Sequence, residues 1–144
     1  MQIAKLPTAH CCQLSGEVEM PLFKGVAGKA KPHKAITYIS RKDKAAYVDV
    51  QNLFIDEDYA GQFRQTAARF GKGTERSERK YYHFKLSPDR ADNADTFMVQ
   101  EYAKACAEKM FKVCECVIAT HTDTQTVHAH IVVNAVHPIT GKKL

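Results

Sequence analysis

The sequence predicts an α/β protein of the α+β type, with a largely antiparallel central sheet flanked by helices. Two observations lead to this class. Along the chain, segments in which apolar residues recur at helical spacing are followed by segments in which apolar and polar residues alternate, as in a strand. Near the C-terminal end, two strand-like segments (114–121 and 127–136) are joined by a short connection, which favours an antiparallel pair. The length of 144 residues suits one domain, residues 1–144.

Three helices are predicted from apolar spacing and from residues that start or end helices. The first spans residues 32–43 and begins at Pro32, which suits the first helical position. The second follows the acidic residues 56–58, which favour the positive end of a helix dipole, and it ends at Gly71. The third follows residues 87–93, which are expected to supply a turn and the helix cap. The apolar stripes are Ala35, Ile36 and Ile39 in the first helix, Tyr59, Phe63, Ala67 and Phe70 in the second, and Val99, Tyr102, Cys106, Met110 and Val113 in the third.

The remaining segments are predicted to be strands or loops. Residues 46–54 form a strand or an extended connection, and residues 71–80 form a polar, basic loop. At the start of the chain, residues 1–6 could form a strand, whereas residues 25–32 have the composition of a loop. Residues 80–87 alternate as a strand, with Tyr82, Phe84 and Leu86 on one face and Tyr81, His83 and Lys85 on the other.

Composition excludes several classes of protein. Apolar residues make up 44% of the chain and charged residues 26%, as in ordinary globular proteins. The apolar runs are too short for a membrane helix or a secretion signal, which predicts an intracellular protein. The five cysteines include the adjacent Cys11 and Cys12, and also Cys114 and Cys116, which would face one side of a strand. Free, buried thiols are the favoured interpretation, and a zinc site containing Cys114 and Cys116 is the alternative.

Basic residues are concentrated in two segments of a chain whose net charge is +5. Residues 24–44 contain seven basic residues and one acid, and residues 64–80 contain six basic residues and two acids. Such segments predict a polyanionic partner, with nucleic acid as the first candidate. Two solvated, lysine-rich faces are the alternative.

The most informative pattern is the segment HTDTQTVHAHIVVN, residues 121–134. In a strand, His128, His130, Val132 and Asn134 share one face, and the apolar residues between them share the other. A hairpin would place His121, at the end of the preceding strand, beside this histidine pair. Three imidazoles that converge on one point form a metal site with open positions, whereas any one of them alone would more often be an ordinary side chain.

Three segments resemble the motifs of a known family. HTDTQTVHAHIVVNAVHP resembles the three-histidine motif of relaxases, the mobilisation nucleases of conjugative plasmids and integrative elements, which belong to the HUH endonuclease superfamily. HKAITYISRKDK is similar to their tyrosine motif, and ERKYYHFKLSP is similar to the strand between the two motifs. The resemblance covers roughly residues 30–144. It implies the RRM-like architecture of HUH nucleases and the N-terminal part of a longer protein.

The resemblance also implies an activity: site- and strand-specific nicking and rejoining of DNA at an origin of transfer, through a 5′-phosphotyrosine intermediate. It implies Tyr38 as the nucleophile and a divalent metal ion, Mg²⁺ or Mn²⁺ in function, held by His121, His128 and His130. The implied partners are single-stranded DNA at the origin, accessory mobilisation proteins and a coupling protein, in the bacterial cytoplasm and without a membrane. The basic residues expected to contact DNA are Lys29, Lys31, Lys34, Arg41 and Lys42.

The residues themselves support Tyr38 as a candidate nucleophile. It lies off the stripe formed by Ile36 and Ile39, within the most basic segment of the chain, where a DNA phosphate would be attracted. A phenol, with an ordinary pKa of about 10, needs help from a nearby cation or base to react at neutral pH. A packing role for Tyr38 is the alternative, and Tyr47 is the second candidate for the nucleophile.

Asp123 and Asn134 are predicted to complete the site. Asp123 could accept a hydrogen bond from a metal-binding imidazole and fix its tautomer, or it could simply form a turn. Asn134 could contact DNA or a metal-bound water, or close the end of its strand. His33, His83 and His137 lie outside the motif and receive no role, although His83 could approach the site from the polar face of its strand.

Other functions fit parts of the pattern. A non-catalytic single-strand-binding domain of RRM-like fold would leave the three histidines unexplained. A structural zinc domain would unfold when its metal is removed. Rolling-circle replication initiators and transposases of the same superfamily carry their tyrosine after the histidine pair. This chain has no tyrosine after His130, which favours a relaxase.

Overall fold

The computed structural model describes residues 22–88 and 93–144. The elements in this part of the chain are β1 (Leu22–Gly28), α1 (Pro32–Ile39), β2 (Ala45–Gln51), α2 (Tyr59–Arg69), β3 (Tyr81–Ser87), α3 (Thr96–Met110), β4 (Cys116–His121) and β5 (His128–Asn134). The five strands form one sheet in the order β1-β3-β5-β4-β2, and every neighbouring pair is antiparallel. The predicted α+β class, an antiparallel sheet flanked by helices, is confirmed.

Helices cover both faces of the sheet. α3 packs on one face, where β3, β4 and β5 form the larger core around Phe84, Ile118 and Ile131. On the other face, α1 and α2 pack over Val117 and Val132, which belong to a second core, while Val26 of β1 and Lys85 of β3 are exposed on this face. The central strands contribute to both cores because successive side chains of a strand point to opposite faces.

The strands predicted from alternation are confirmed, with altered ends. Tyr82, Phe84 and Leu86 of β3 are buried on the α3 face, while Lys85 is exposed on the other face. β4 begins at Cys116 and β5 ends at Asn134, so both strands are shorter than the segments 114–121 and 127–136. All residues of these two strands are buried, because helices lie on both sides of them.

α1 and α2 begin where the sequence predicts, whereas α3 begins at Thr96 and is capped by Asp95 rather than by a residue of the segment 87–93. α1 begins at Pro32, but it ends at Ile39 rather than at residue 43, because the chain turns at Arg41 to enter β2. The Asp58 and Asp95 side chains cap α2 and α3 by accepting hydrogen bonds from backbone N–H groups. None of the helices in residues 22–88 and 93–144 combines the length and apolar character that crossing a membrane requires.

β1 corrects one expectation. Residues 25–28, expected to belong to a loop, form the second half of this edge strand and pair with β3. A Cβ atom added to Gly28 would lie 2.0 Å from Cζ of Tyr81, so the tyrosine ring occupies the space that a side chain would need. Local composition misses this strand because its pairing partner is more than fifty residues away in the chain. The possible strand in residues 1–6 lies outside the described residues.

Candidate metal centre and nucleophile

The β4–β5 hairpin brings His121, His128 and His130 together. The strand register pairs His121 directly with His128, and His130 follows on the same face. The ring centroids are 4.4 Å apart for His121 and His130, 5.0 Å for His128 and His130, and 5.3 Å for His121 and His128. One nitrogen from each ring lies within 4.8 Å of the other two. Three imidazole nitrogens gathered in this way are candidates to hold one divalent ion between them.

Hydrogen bonds to backbone carbonyls determine which nitrogens can bind a metal ion. Nε2 of His121 lies 2.8 Å from the carbonyl oxygen of Ile39, and Nδ1 of His128 lies 3.0 Å from that of Thr126. Because a carbonyl only accepts, both nitrogens must carry hydrogen. In the neutral rings, the free lone pairs are therefore those of His121 Nδ1 and His128 Nε2.

Two nitrogens of this cluster are buried without any hydrogen-bond partner: Nδ1 of His121 and Nε2 of His130. Buried polar atoms in proteins nearly always have a partner, so two orphaned nitrogens in one cluster call for an explanation. Imidazole nitrogens are common ligands of divalent metal ions, and a shared ion would satisfy both atoms at once. The residues present therefore fit a metal centre.

Burial keeps these imidazoles in the form that binds metals. Removal from water lowers the pKa of His128. Burial, followed by the charges of His83 and His121, lowers the pKa of His130 to about 3. Both rings are neutral at neutral pH, and only neutral imidazole has a lone pair to offer a metal ion.

His83 of β3 contacts the triad, although the sequence pattern gave it no role. Its Nε2 lies 2.8 Å from Nδ1 of His130, and the two ring centroids are 4.9 Å apart. The pKa of His83 is lowered, mainly by burial. Its position on the polar face of β3 was readable from the sequence. The fact that β3 lies beside β5 was not.

Tyr38 is exposed on α1, above the histidine cluster. Its side chain is 44% exposed, whereas Ile36 and Ile39 anchor the helix in the second core. The ring centroid of Tyr38 is 5.9 Å from that of His121 and 6.1 Å from that of His130. The fold therefore places a phenol beside the predicted metal ligands.

Tyr47, the second candidate nucleophile, lies on the other face of the sheet. It pairs with Thr120 in the ladder between β2 and β4, and its ring packs 6.1 Å from that of Phe97 in α3. His121 lies next to Thr120 in β4 and therefore points to the opposite face. The sheet separates Tyr47 from the histidines.

Asp123 lies near the cluster but pairs mainly with a lysine. Its Oδ2 is 3.2 Å from Nζ of Lys44, whereas its Oδ1 is 3.9 Å from Nδ1 of His121, too far for a hydrogen bond. Burial raises the pKa of Asp123, but the hydrogen bond and charge of Lys44 outweigh it and leave that pKa below its ordinary value. The tautomer of His121 is set by Ile39 instead. Lys44, absent from the predicted site, also lies 4.8 Å from the ring centroid of Tyr38.

Asn134 is not brought to the cluster. It is fully buried, and its amide donates to the carbonyl oxygen of Phe63 and to the carboxylate of Glu115. Its own side-chain oxygen accepts from the backbone N–H of Val136. Both donor hydrogens are thus used inside the protein, as expected for a residue that closes the end of a strand.

The basic residues around α1 face solvent. Lys29, Lys31, Lys34, Arg41 and Lys42 are all exposed and lie before, within and just after this helix. Lys34 precedes Tyr38 by one helical turn, so both lie on the same side of α1. Arg41 is partly neutralised by Asp43, with 2.8 Å between its Nη2 and Oδ2 of the aspartate.

In the second basic segment, two lysines serve the fold. Nζ of Lys80 donates to the carbonyl oxygens of Lys29 and Glu75, and Nζ of Lys72 donates to that of Gly141. Lys85 lies outside both basic segments, yet it is exposed on the histidine face and pairs with His130 in the ladder. Its charge adds to burial in lowering the pKa of His128 and His130.

The cysteines lie apart from the histidines. Cys114 and Cys116 are free thiols, and they are buried together with Cys106 in the core under α3, on the opposite face of the sheet from the triad. Burial raises the pKa of Cys114 to about 11 and that of Cys116 well above its ordinary value. A zinc site that combines Cys114 and Cys116 with these histidines is therefore wrong. Cys11 and Cys12 lie outside the described residues.

Comparison with known families agrees with the geometry. Residues 38–144 match the model of the relaxase family described as the MobA/VirD2-like nuclease domain. The match includes Tyr38 and the three histidines of the cluster. None of the curated proteins matches the chain. Because the family model covers well over half of the sequence, the chain belongs to the relaxases, a family of nucleases that bind and nick DNA.

Proposed function

We propose that this domain nicks and rejoins one DNA strand at an origin of transfer, through a 5′-phosphotyrosine on Tyr38, and so serves conjugative mobilisation. One observation carries the proposal. An exposed tyrosine ring lies about 6 Å from two buried histidine rings, each of which has an orphaned nitrogen. Nucleophile and ligands come from distant parts of the chain, so the fold has to assemble them. Accessory mobilisation proteins and a coupling protein complete the proposed system in the bacterial cytoplasm.

In this proposal the metal ligands are His121 Nδ1, His128 Nε2 and His130 Nε2. When bound, a divalent ion would polarise the scissile phosphate and offset the negative charge that develops on it. Mg²⁺ or Mn²⁺ is the proposed working ion. Imidazole ligands also bind Co²⁺, Ni²⁺ and Zn²⁺ well, so the ion found in a purified sample identifies the site rather than the physiological metal.

The proposed reaction exchanges one phosphodiester for another. The phenolic oxygen of Tyr38 loses its proton and forms a bond to phosphorus, while the bond from phosphorus to the 3′-oxygen of the preceding nucleotide breaks. That oxygen takes up a proton and becomes a free 3′-hydroxyl, and the 5′ end stays attached to Tyr38. Because one phosphate ester bond forms for each one that breaks, the same groups can run the step backwards and rejoin the strand.

Charged side chains around the cluster define the proposed DNA path. Lys44 lies against the Tyr38 ring, and Lys85 borders the histidines on their exposed side. These two cations, together with the exposed basic residues around α1, would hold phosphates on either side of the scissile bond. A non-catalytic single-strand binder of RRM type would instead stack bases on an open sheet face, and it would leave the three clustered histidines unexplained.

The test is covalent capture of DNA. The protein is mixed with single-stranded oligonucleotides that tile the transfer origin of its own genetic element, in the presence of Mn²⁺, and separated on denaturing gels. The native protein should form an adduct with the 5′ end of the cleaved strand. Tyr38→Phe, which removes one oxygen and keeps the ring, should form none while retaining single-strand affinity.

Tyr47→Phe is the matched control, because it makes the same change on the other face of the sheet. It should form the adduct at the native level. An adduct that persists in Tyr38→Phe and disappears in Tyr47→Phe would overturn the assignment of the nucleophile.

A further inference from the structure

We infer that His83 is a positioning residue of the metal centre: it accepts a hydrogen bond from Nδ1–H of His130 and thereby turns Nε2 of His130 toward the shared ion. The inference rests on the metal centre proposed above and adds to it a residue from a third strand, β3. It stands on the contact between the two rings, on the strand register and on the orphaned nitrogen of His130.

The register explains how His83 reaches His130. β3 and β5 are antiparallel neighbours, and Lys85 lies directly opposite His130 while His83 lies opposite Val132. His83 and His130 are therefore diagonal neighbours on the same face, a spacing that long or aromatic side chains can bridge. Their nearest nitrogens are 2.8 Å apart, which is hydrogen-bond distance.

The direction of this hydrogen bond follows from the surroundings of His130. If His83 donated from Nε2, the proton of neutral His130 would sit on its own Nε2, which is buried and has no acceptor. Both arrangements leave Nε2 of His130 without a partner in the metal-free protein, but only a bare Nε2 can gain a partner by binding an ion. If His130 donates from Nδ1, its Nε2 keeps a lone pair for an ion shared with the other two histidines. The second arrangement is the one that can bind metal.

Each ligand then has one acceptor behind it. Ile39 supplies a carbonyl oxygen for His121, Thr126 supplies one for His128, and His83 supplies a ring nitrogen for His130. Partners of this kind fix the tautomer and orientation of a metal-binding imidazole, and their loss typically weakens metal affinity about 10–100-fold. His83 is the one among these three partners that a side-chain substitution can remove.

The variant test compares two substitutions at this position. His83→Leu fills the space without an acceptor, whereas His83→Gln places an amide oxygen near the former Nε2. His33→Leu is the control, since it removes an exposed histidine away from the triad. Titration calorimetry with MnCl₂ and with CoCl₂ measures affinity, and the visible absorption of bound Co²⁺ reports ligand geometry.

We expect His83→Leu to bind both ions about 10–100-fold more weakly than the native protein, with an altered Co²⁺ spectrum. His83→Gln should recover most of the affinity, and His33→Leu should match the native protein. Native affinity and spectrum in His83→Leu would overturn the inference. Equal losses in the leucine and glutamine variants would also overturn it, because they would make His83 a ligand or a packing residue.

A measurement on the native protein gives an answer even if a variant fails to fold. Long-range ¹H–¹⁵N NMR spectra of the metal-free and Zn²⁺-bound protein distinguish protonated from bare ring nitrogens. His130 should carry hydrogen on Nδ1, and His83 should have a bare Nε2. Hydrogen on Nε2 of His83 would overturn the inference. If the native protein binds no metal at all, the proposed metal centre fails instead, so the two failures remain distinguishable.

Discussion

On the face covered by α3, β4 and β5 carry Cys116, Ile118 and Ile131, whereas on the other face the same two strands carry the three histidines. α3 has 15 residues and is about 22 Å long, close to the length of the strands it covers. α1 has eight residues and is about 12 Å long. It ends at Ile39, whose carbonyl oxygen contacts His121, and it places the exposed Tyr38 ring beside the histidines. The short helix α1 therefore supplies the candidate nucleophile on the face of the sheet that carries the histidines.

The two faces of the sheet also differ in whether their buried polar groups have hydrogen-bond partners. On the α3 face, Gln100 of α3 itself is fully buried. Its amide N–H groups donate to Asp49 and to the carbonyl oxygen of Ile118, and its oxygen accepts from Thr120. On the histidine face, two buried nitrogens have no partner. The two partnerless nitrogens belong to the histidine cluster, where a bound ion would be their partner.

The largest expected effect comes from the ligands themselves. The double variant His128→Ala and His130→Ala should lose metal binding and at least about 100-fold of its nicking activity, since the remaining imidazole cannot hold an ion alone. Metal content of the purified protein and the gel assay for the DNA adduct measure the two losses. Near-native nicking by this variant would rule out a catalytic metal centre formed by His121, His128 and His130.

On the opposite face, Ile131→Ala should reduce stability without changing the site. Ile131 is completely buried under α3, and removal of such a side chain typically costs about 2–5 kcal/mol of unfolding free energy. Urea unfolding measures this loss, and Mn²⁺ titration of the folded variant should give native stoichiometry. Loss of metal binding in folded Ile131→Ala would show that the two faces are not independent.

Acidification should destabilise the metal-free protein through the histidine face. Burial lowers the pKa of His130 to about 3 in the folded protein, whereas its ordinary value, expected in the unfolded chain, is 6.5. Below pH 6.5, His130 becomes protonated in the unfolded chain but stays neutral in the folded protein. The free energy of unfolding therefore falls as the pH drops toward 3. The slope is about 1.4 kcal/mol per pH unit, or about 2 kcal/mol between pH 6.5 and 5.

Urea unfolding with a chelator at pH 7, 6 and 5 tests this dependence. His130→Leu should show a flatter profile than the native protein. Identical pH profiles for the native protein and His130→Leu would contradict the expected role of His130.

The smallest effect concerns the basic residues around α1. Neutralising Lys29, Lys31 and Lys34 together should reduce the salt dependence of single-strand binding, because each lost phosphate contact removes about 0.7 from the logarithmic slope. Filter binding at several salt concentrations measures the slope. Lys112→Gln, an exposed change beyond the end of α3, serves as the control. An unchanged slope in the triple variant would move the DNA path away from α1.

Periodicity predicted much of the fold because it is a local property. The alternation in residues 80–87 gave the correct faces of β3, and the acidic and proline residues gave the correct helix starts. Val113 shows the limit of this reasoning. It continues the apolar stripe of α3, but the helix ends at Met110, where Phe111 turns into the core, and Val113 is 37% exposed.

The sequence by itself determined that His128 and His130 share a face, that Tyr38 lies off the apolar stripe of α1, and that the chain carries relaxase motifs. Only the tertiary structure decided which nitrogens are free, because the partners of His121 and His130 lie 82 and 47 residues away in the chain. It also decided that β3 lies beside β5 and that Tyr47 is on the wrong side of the sheet. The physical reason is that a strand's side-chain period is a local property. Strand order and register depend on pairing between segments that are remote in the sequence.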